Sequence, residues 1–153
     1  MNIVPSASQK KAQTLEIVNT FVKISPDSTA IKAVIPEARD DKKTIQVIQY
    51  ELLSAKPYSL TLQELIFEVF VQRNHISSTD LALHKITIWT ELFSKNHPCM
   101  RASMLPKEYG WGVHYDTEGK IALHAVESES YRRLCAFGEG VQKVEAAMRS
   151  KRL

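Results

Sequence analysis

The chain reads as an α+β protein: a single domain in which a small antiparallel sheet of three or four strands packs against about five helices. Three observations predict this. Strand-like and helix-like segments segregate along the chain rather than alternate. Two alternating runs flank Asp116-Thr117-Glu118-Gly119, a turn with Asp first and Gly fourth. The 153 residues, 44% of them apolar, suit one domain with its own core.

Residues 1–13 are polar and include Lys10-Lys11, so they are expected to form a leader before a domain over 14–153. Val18 to Ile24 alternates and is ended by Ser25-Pro26-Asp27, which predicts a strand. A helical reading through Leu15, Val18 and Val22 competes with it. Asp40-Asp41 offers an N-cap for TIQVIQYELLSA, where Ile45, Ile48 and Leu52 recur at helical spacing before Pro57. Thr61-Leu62-Gln63-Glu64 has the pattern of a capping box, with threonine and glutamate each satisfying the other's free amide. It opens LQELIFEVFVQRN, whose Leu62, Leu65, Ile66, Val69 and Phe70 form a broad apolar face. Asp80 is expected to cap LALHKITIWTELFSK, with Ala82, Ile86, Trp89 and Phe93 along one side. Ser128 caps SESYRRLCAF, which Gly138 and Gly140 break. A last helix is expected over VQKVEAAMRSKR, with Val141, Val144 and Met148 as its stripe.

The hairpin register follows from its turn. A left-handed Gly119 gives a three-residue loop with a bulge, which pairs His114 with Ala122 and Gly112 with His124. Trp111, Val113, Tyr115, Ile121, Leu123 and Ala125 then share one face. Gly112, His114, Asp116, Lys120, Ala122, His124 and Val126 share the other. A one-residue slip exchanges the faces, and the clean sorting favours this register. His114 and His124 become diagonal neighbours, and with Asp116 they would make a His/His/carboxylate ligand set. A plain polar sheet face is the favoured reading, and no metal is assigned.

The stretch from Pro98 to Glu127 is where chemistry is concentrated. Arg101, Lys107, Tyr109, Trp111, His114 and His124 mix positive donors with flat rings, types that hold an anionic or aromatic ligand. Core aromatics with a solvated basic rim would produce the same composition. Cys99 lies two residues from Arg101 and two from His97, which opens a nucleophilic-thiol reading beside the commoner one of a packed cysteine.

Bulk properties exclude several classes. A net charge of +3 is too mild for the strong basic patch of a nucleic-acid binder, so nucleic acid is disfavoured as a partner. No apolar run approaches the ~18 residues of a membrane span, so no membrane partner is expected. The two cysteines, Cys99 and Cys135, have no metal-ligand spacing, and no signal-like segment precedes the domain. A reduced, cytoplasmic protein is expected.

Pro98-Cys99-Met100-Arg101-Ala102-Ser103, Leu105-Pro106-Lys107 and Tyr109-Gly110-Trp111-Gly112-Val113-His114 together resemble the signature of a small family of uncharacterised bacterial proteins, a domain-of-unknown-function family. Gly119-Lys120-Ile121-Ala122-Leu123, Asn19-Thr20-Phe21-Val22 and Gln49-Tyr50-Glu51-Leu52-Leu53 resemble its other blocks. So does Met148-Arg149-Ser150-Lys151-Arg152. The resemblance implies a bacterial, cytoplasmic, single-domain protein. It implies no activity, no cofactor and no catalytic residue. The leading expectation is a non-catalytic binding or interaction domain with a site for an anionic or aromatic small ligand. A small enzyme using the Cys99/Arg101/His114 region and an oligomeric scaffold without a small-molecule site are the alternatives.

Overall fold

In a computed structural model, residues 15–151 of the chain are described. The expected leader over 1–13 lies outside them. The described residues form an α+β fold with one four-stranded sheet, five α-helices and a short 3-10 turn. The strands are β1 (Thr20–Lys23), β2 (Trp111–Tyr115), β3 (Ile121–Ala125) and β4 (Lys143–Ala146). The helices are α1 (Ile45–Ala55), α2 (Leu62–Arg73), α3 (Ser78–Leu92), α4 (Met104–Glu108) and α5 (Glu129–Cys135).

The sheet order is β3-β2-β1-β4. The hairpin has the expected register, with Gly112 opposite His124 and His114 opposite Ala122. Gly119 has φ +79°, and the Asp116 carboxylate accepts from the Glu118 and Lys120 amides at 2.8 and 2.9 Å. That carboxylate therefore closes the turn. β1 joins β2 antiparallel, so the strand reading of 18–24 holds and its helical rival falls.

β4 is a correction. It occupies the segment read as a last helix, and it runs parallel to β1, which makes the sheet mixed. Two features override the helical stripe. Asn19, left-handed at φ 50°, turns its carbonyl to accept the Gln142 and Lys143 amides at 2.7 and 3.2 Å. β1 then offers an open ladder edge beside them, and pairing outweighs local propensity.

Both faces of the sheet are covered. Val22, Val113, Tyr115 and Ile121 pack with Ile48 and Leu53 of α1, Leu62, Leu65 and Val69 of α2, and Leu105 of α4. On the other face Phe21 packs with Tyr131 and Leu134 of α5 and with Val141. The face sorting read from the hairpin thus separates two cores.

The helix starts follow cap chemistry, with two changes. Thr61 and Glu64 form the expected capping box of α2, and Ser128 caps α5 by accepting from the Tyr131 amide at 3.1 Å. α3 begins at a Ser77 cap, earlier than the expected Asp80. Asp40 and Asp41 do not cap α1. Both are left-handed, at φ 50° and 62°, in a two-residue turn that joins Arg39 and Lys42 by reciprocal backbone bonds of 3.1 and 2.8 Å. The N-cap of α1 is Thr44, whose side chain makes no capping bond. Nor is the expected apolar side of α3 buried: Ile86 is 83% exposed, while Trp89 and Phe93 are half-buried. No helix among the described residues is long and apolar enough to cross a membrane.

Candidate functional site

Two places combine polar chemistry with burial. The first lies between β2, β3 and α5. His114 is buried on β2, and its ring centroid is 6.1 Å from that of His124 on β3. Tyr58, in the turn between α1 and α2, bridges them. Its Oη is 2.8 Å from His114 Nδ1 and 2.9 Å from His124 Nε2. His124 Nδ1 continues to Ser130 Oγ at 2.8 Å, and His114 Nε2 to the Gly140 carbonyl at 2.9 Å.

The donors in this chain can be assigned from one end. A carbonyl only accepts, so His114 Nε2 carries a proton toward Gly140. With His114 neutral, its Nδ1 accepts from the Tyr58 hydroxyl. The Tyr58 oxygen then accepts from His124 Nε2–H, and His124 Nδ1 accepts from Ser130. Burial holds His124 below its ordinary value, at about 4, and the His114 ring and Arg133 push the same way. Burial, with the Asp116 charge, raises Tyr58. At neutral pH His124 is therefore neutral and the Tyr58 hydroxyl protonated, as the assignment requires.

Of the six residues singled out in the sequence, the structure brings only His114 and His124 together in this network. Arg101 lies at the β4 side of the sheet, where its Nε donates to the Ala146 carbonyl at 2.8 Å and stands 3.8 Å from a Glu145 carboxylate oxygen. Trp111 stacks at a tilt on Tyr50, 5.3 Å between ring centroids, and its indole N–H donates to the Val34 carbonyl at 2.9 Å. Tyr109 packs partly buried against the first core. Lys107 is in the last turn of α4. Cys99 and Cys135 are free thiols. Among the described residues no group of three His, Cys, Asp or Glu is placed to hold a metal ion.

Sequence reasoning missed Tyr58, Ser130 and Gly140. Tyr58 carries no local signal: an aromatic residue at φ 57° in a turn is uncommon, and nothing in Pro57-Tyr58-Ser59 announces it.

The second place is a cleft of about 800 Å³ at the start of α1. Lys42, Lys43, Thr44, Gln72, Arg73 and His75 line it, with Asp41 as the acid beside them. The first amides of α1 have no intrahelical acceptor, and the Thr44 side chain leaves them uncapped. Thr44 Oγ1 is buried with no hydrogen-bond partner, alone in this among the described residues. Lys43 is held by Glu51 at 2.9 Å, whereas Lys42 and Arg73 have no carboxylate partner among the described residues. His75 is left-handed at φ 51° where the chain leaves α2. Uncapped amides and positive charge lie together here, with the Thr44 hydroxyl buried beside them.

Neither the curated proteins nor the solved structures contain a match to the chain. A family described as "Family of unknown function (DUF6157)" matches residues 12–153, and the chain belongs to that family.

Proposed function

We propose that this is a non-catalytic binding domain for a small anion, seated in the cleft at the start of α1. The observation that carries the reading is the buried, unpartnered Thr44 hydroxyl beside an uncapped helix end. A buried hydroxyl without a partner costs about 1–3 kcal/mol. A phosphate or carboxylate would accept from the first amides of α1, where the helix dipole also favours negative charge, and the Thr44 hydroxyl would reach it by turning about χ1 toward the cleft. Lys42 and Arg73 supply countercharge, and the fork of Arg73 suits a planar or tetrahedral oxyanion. The volume is within the ~300–1,000 Å³ range of small-molecule sites. The lining offers donors and charge, which bind an anion without requiring a reaction. The free thiols support a reducing, cytoplasmic setting, and the resemblance of the signature segments supports a bacterial one.

Thermal shift with inorganic phosphate and a panel of phosphorylated and carboxylated metabolites tests the reading. A ligand at 100 times its Kd adds about 2.7 kcal/mol of stability. Arg73→Ala and Lys42→Ala are expected to abolish most of the shift. Arg101→Ala, remote from the cleft, is expected to keep it. A hit that stabilises the wild type and both cleft variants alike would remove this assignment.

A further inference from the structure

We propose that His114, Tyr58 and His124 form an acid-operated latch on the outer edge of β3. The triplet takes up one proton with every hydrogen bond kept, and a second proton releases Tyr58 and the 58–61 segment. The triplet shares no residue with the anion cleft.

The geometry supports the first half by a count of donors and acceptors. An added proton on His124 gives it two N–H groups. Its Nε2–H still donates to Tyr58, and its Nδ1–H now donates to Ser130 Oγ, 2.8 Å away. Ser130 turns its hydroxyl to Ser128 Oγ at 3.1 Å, and Ser128 donates to the Ala125 carbonyl at 2.7 Å. The hydrogen-bond geometry also accommodates the proton on His114. Its Nδ1–H then donates to Tyr58, His124 carries its own proton on Nδ1 and donates it to Ser130, and the Tyr58 hydroxyl turns to the freed His124 Nε2. Either way no polar group loses a partner.

A second proton cannot be absorbed in this way. Both rings then aim an N–H at the same Tyr58 oxygen, and the Tyr58 hydroxyl proton has no acceptor in the triplet. Two cations also face each other with ring centroids 6.1 Å apart. Arg133 on α5 adds positive charge near His124, and the Phe21 ring from β1 packs edge-on to His124 without offering countercharge. Asp116, past the end of β2, is the negative group that acts on Tyr58, and its carboxylate is already engaged by two turn amides. The loop before β4 contributes the Gly140 carbonyl.

Tyr58 is also the residue that fastens its segment to the sheet. Its amide donates to the Ile121 carbonyl at 2.9 Å, the Ile121 amide donates to Leu60 at 2.9 Å, and Thr61 bridges to Lys120. This segment covers the Ile121 end of the outer edge of β3. The left-handed backbone of Tyr58 stores strain that persists only while its surroundings hold it. Losing the hydroxyl anchor therefore frees the segment and bares a strand edge, a surface on which another strand can pair.

Imidazole nitrogen shifts of the wild type, read by two-bond proton–nitrogen correlation, test the donor assignment. Both His114 and His124 are expected as Nε2–H tautomers at neutral pH. Native-state hydrogen exchange from neutral pH to about pH 4 tests the release. Protection of the Tyr58 and Ile121 amides is expected to fall by about tenfold or more while β2 stays protected. His124→Gln keeps a donor near Nε2 but cannot be protonated, so its two amides should stay protected through the same range. An Nδ1–H tautomer at either histidine would overturn the latch. So would loss of the two amides only together with β2, or opening of His124→Gln at the same pH as the wild type.

Discussion

Gly112 sits where no side chain fits. A Cβ there would press on the Phe21 ring and stand 2.7 Å from Tyr131 Cε2, so even a methyl group forces the second core apart. Gly112→Ala is expected to cost about 1–3 kcal/mol, read from the urea midpoint. Gly119 is required for a different reason. Its φ of +79° closes the hairpin turn, and a Cβ would also stand 2.9 Å from the Ile17 carbonyl oxygen. Gly119→Val is expected to lose about 1 kcal/mol or more, because a β-branched residue is strained at positive φ. The turn signature made Gly119 legible in the sequence. The need for glycine at 112 was not, since Phe21 and Tyr131 reach it from other elements.

Two threonines at helix starts separate stability from binding at the scale of the element. Thr61 accepts from the Glu64 amide at 3.3 Å, so Thr61→Ala is expected to destabilise by about 1 kcal/mol. Thr44 caps nothing, and its hydroxyl is unpartnered. Thr44→Ala removes an unsatisfied buried hydroxyl, so it is expected to lose no stability while weakening anion binding. Equal losses of stability in urea would show that Thr44 serves α1 rather than a ligand. On α3, Leu83 and Ile86 are 70% and 83% exposed. If they face only solvent, Ile86→Lys should change neither stability nor sedimentation. A shift from dimer to monomer would reveal self-association through this helix.

Acid is expected to weaken the whole molecule through linkage. His124 binds a proton less readily folded, at about 4, than its ordinary value of 6.5. Between those values the unfolded chain holds more protons, so stability is full above about pH 6.5 and declines as pH falls toward 4. Asp27 acts lower on the scale. Its carboxylate, lowered first by the Ser25 hydroxyl and then by the Lys151 amide, also accepts from Ser150 at 3.0 Å and so ties down the C-terminal segment. Its contribution is present above its ordinary 3.8 and is lost as pH falls through its depressed value. Urea midpoints across this range should drop with acid, and His124→Gln should flatten the upper part of the curve. A midpoint that holds level between pH 6.5 and 4 would contradict the burial of a neutral His124.

What the sequence determined by itself was local. Asp116-Thr117-Glu118-Gly119 carries its own turn chemistry, and the alternation beside it sets which side chains share a face. Thr61 and Glu64 are three residues apart, so their capping box is written in the chain. The tertiary structure decided whatever joins distant segments. Tyr58 meets His114 and His124 across separations of 56 and 66 residues, which no spacing rule reveals. The cleft forms because the end of α2 returns beside the start of α1. Arg101 found its partners on β4, a strand that the stripe of Val141, Val144 and Met148 presents as a helix. Local signals act through the backbone of a few neighbouring residues. Strand pairing and buried polar contacts are settled by which surfaces the packed core brings into reach.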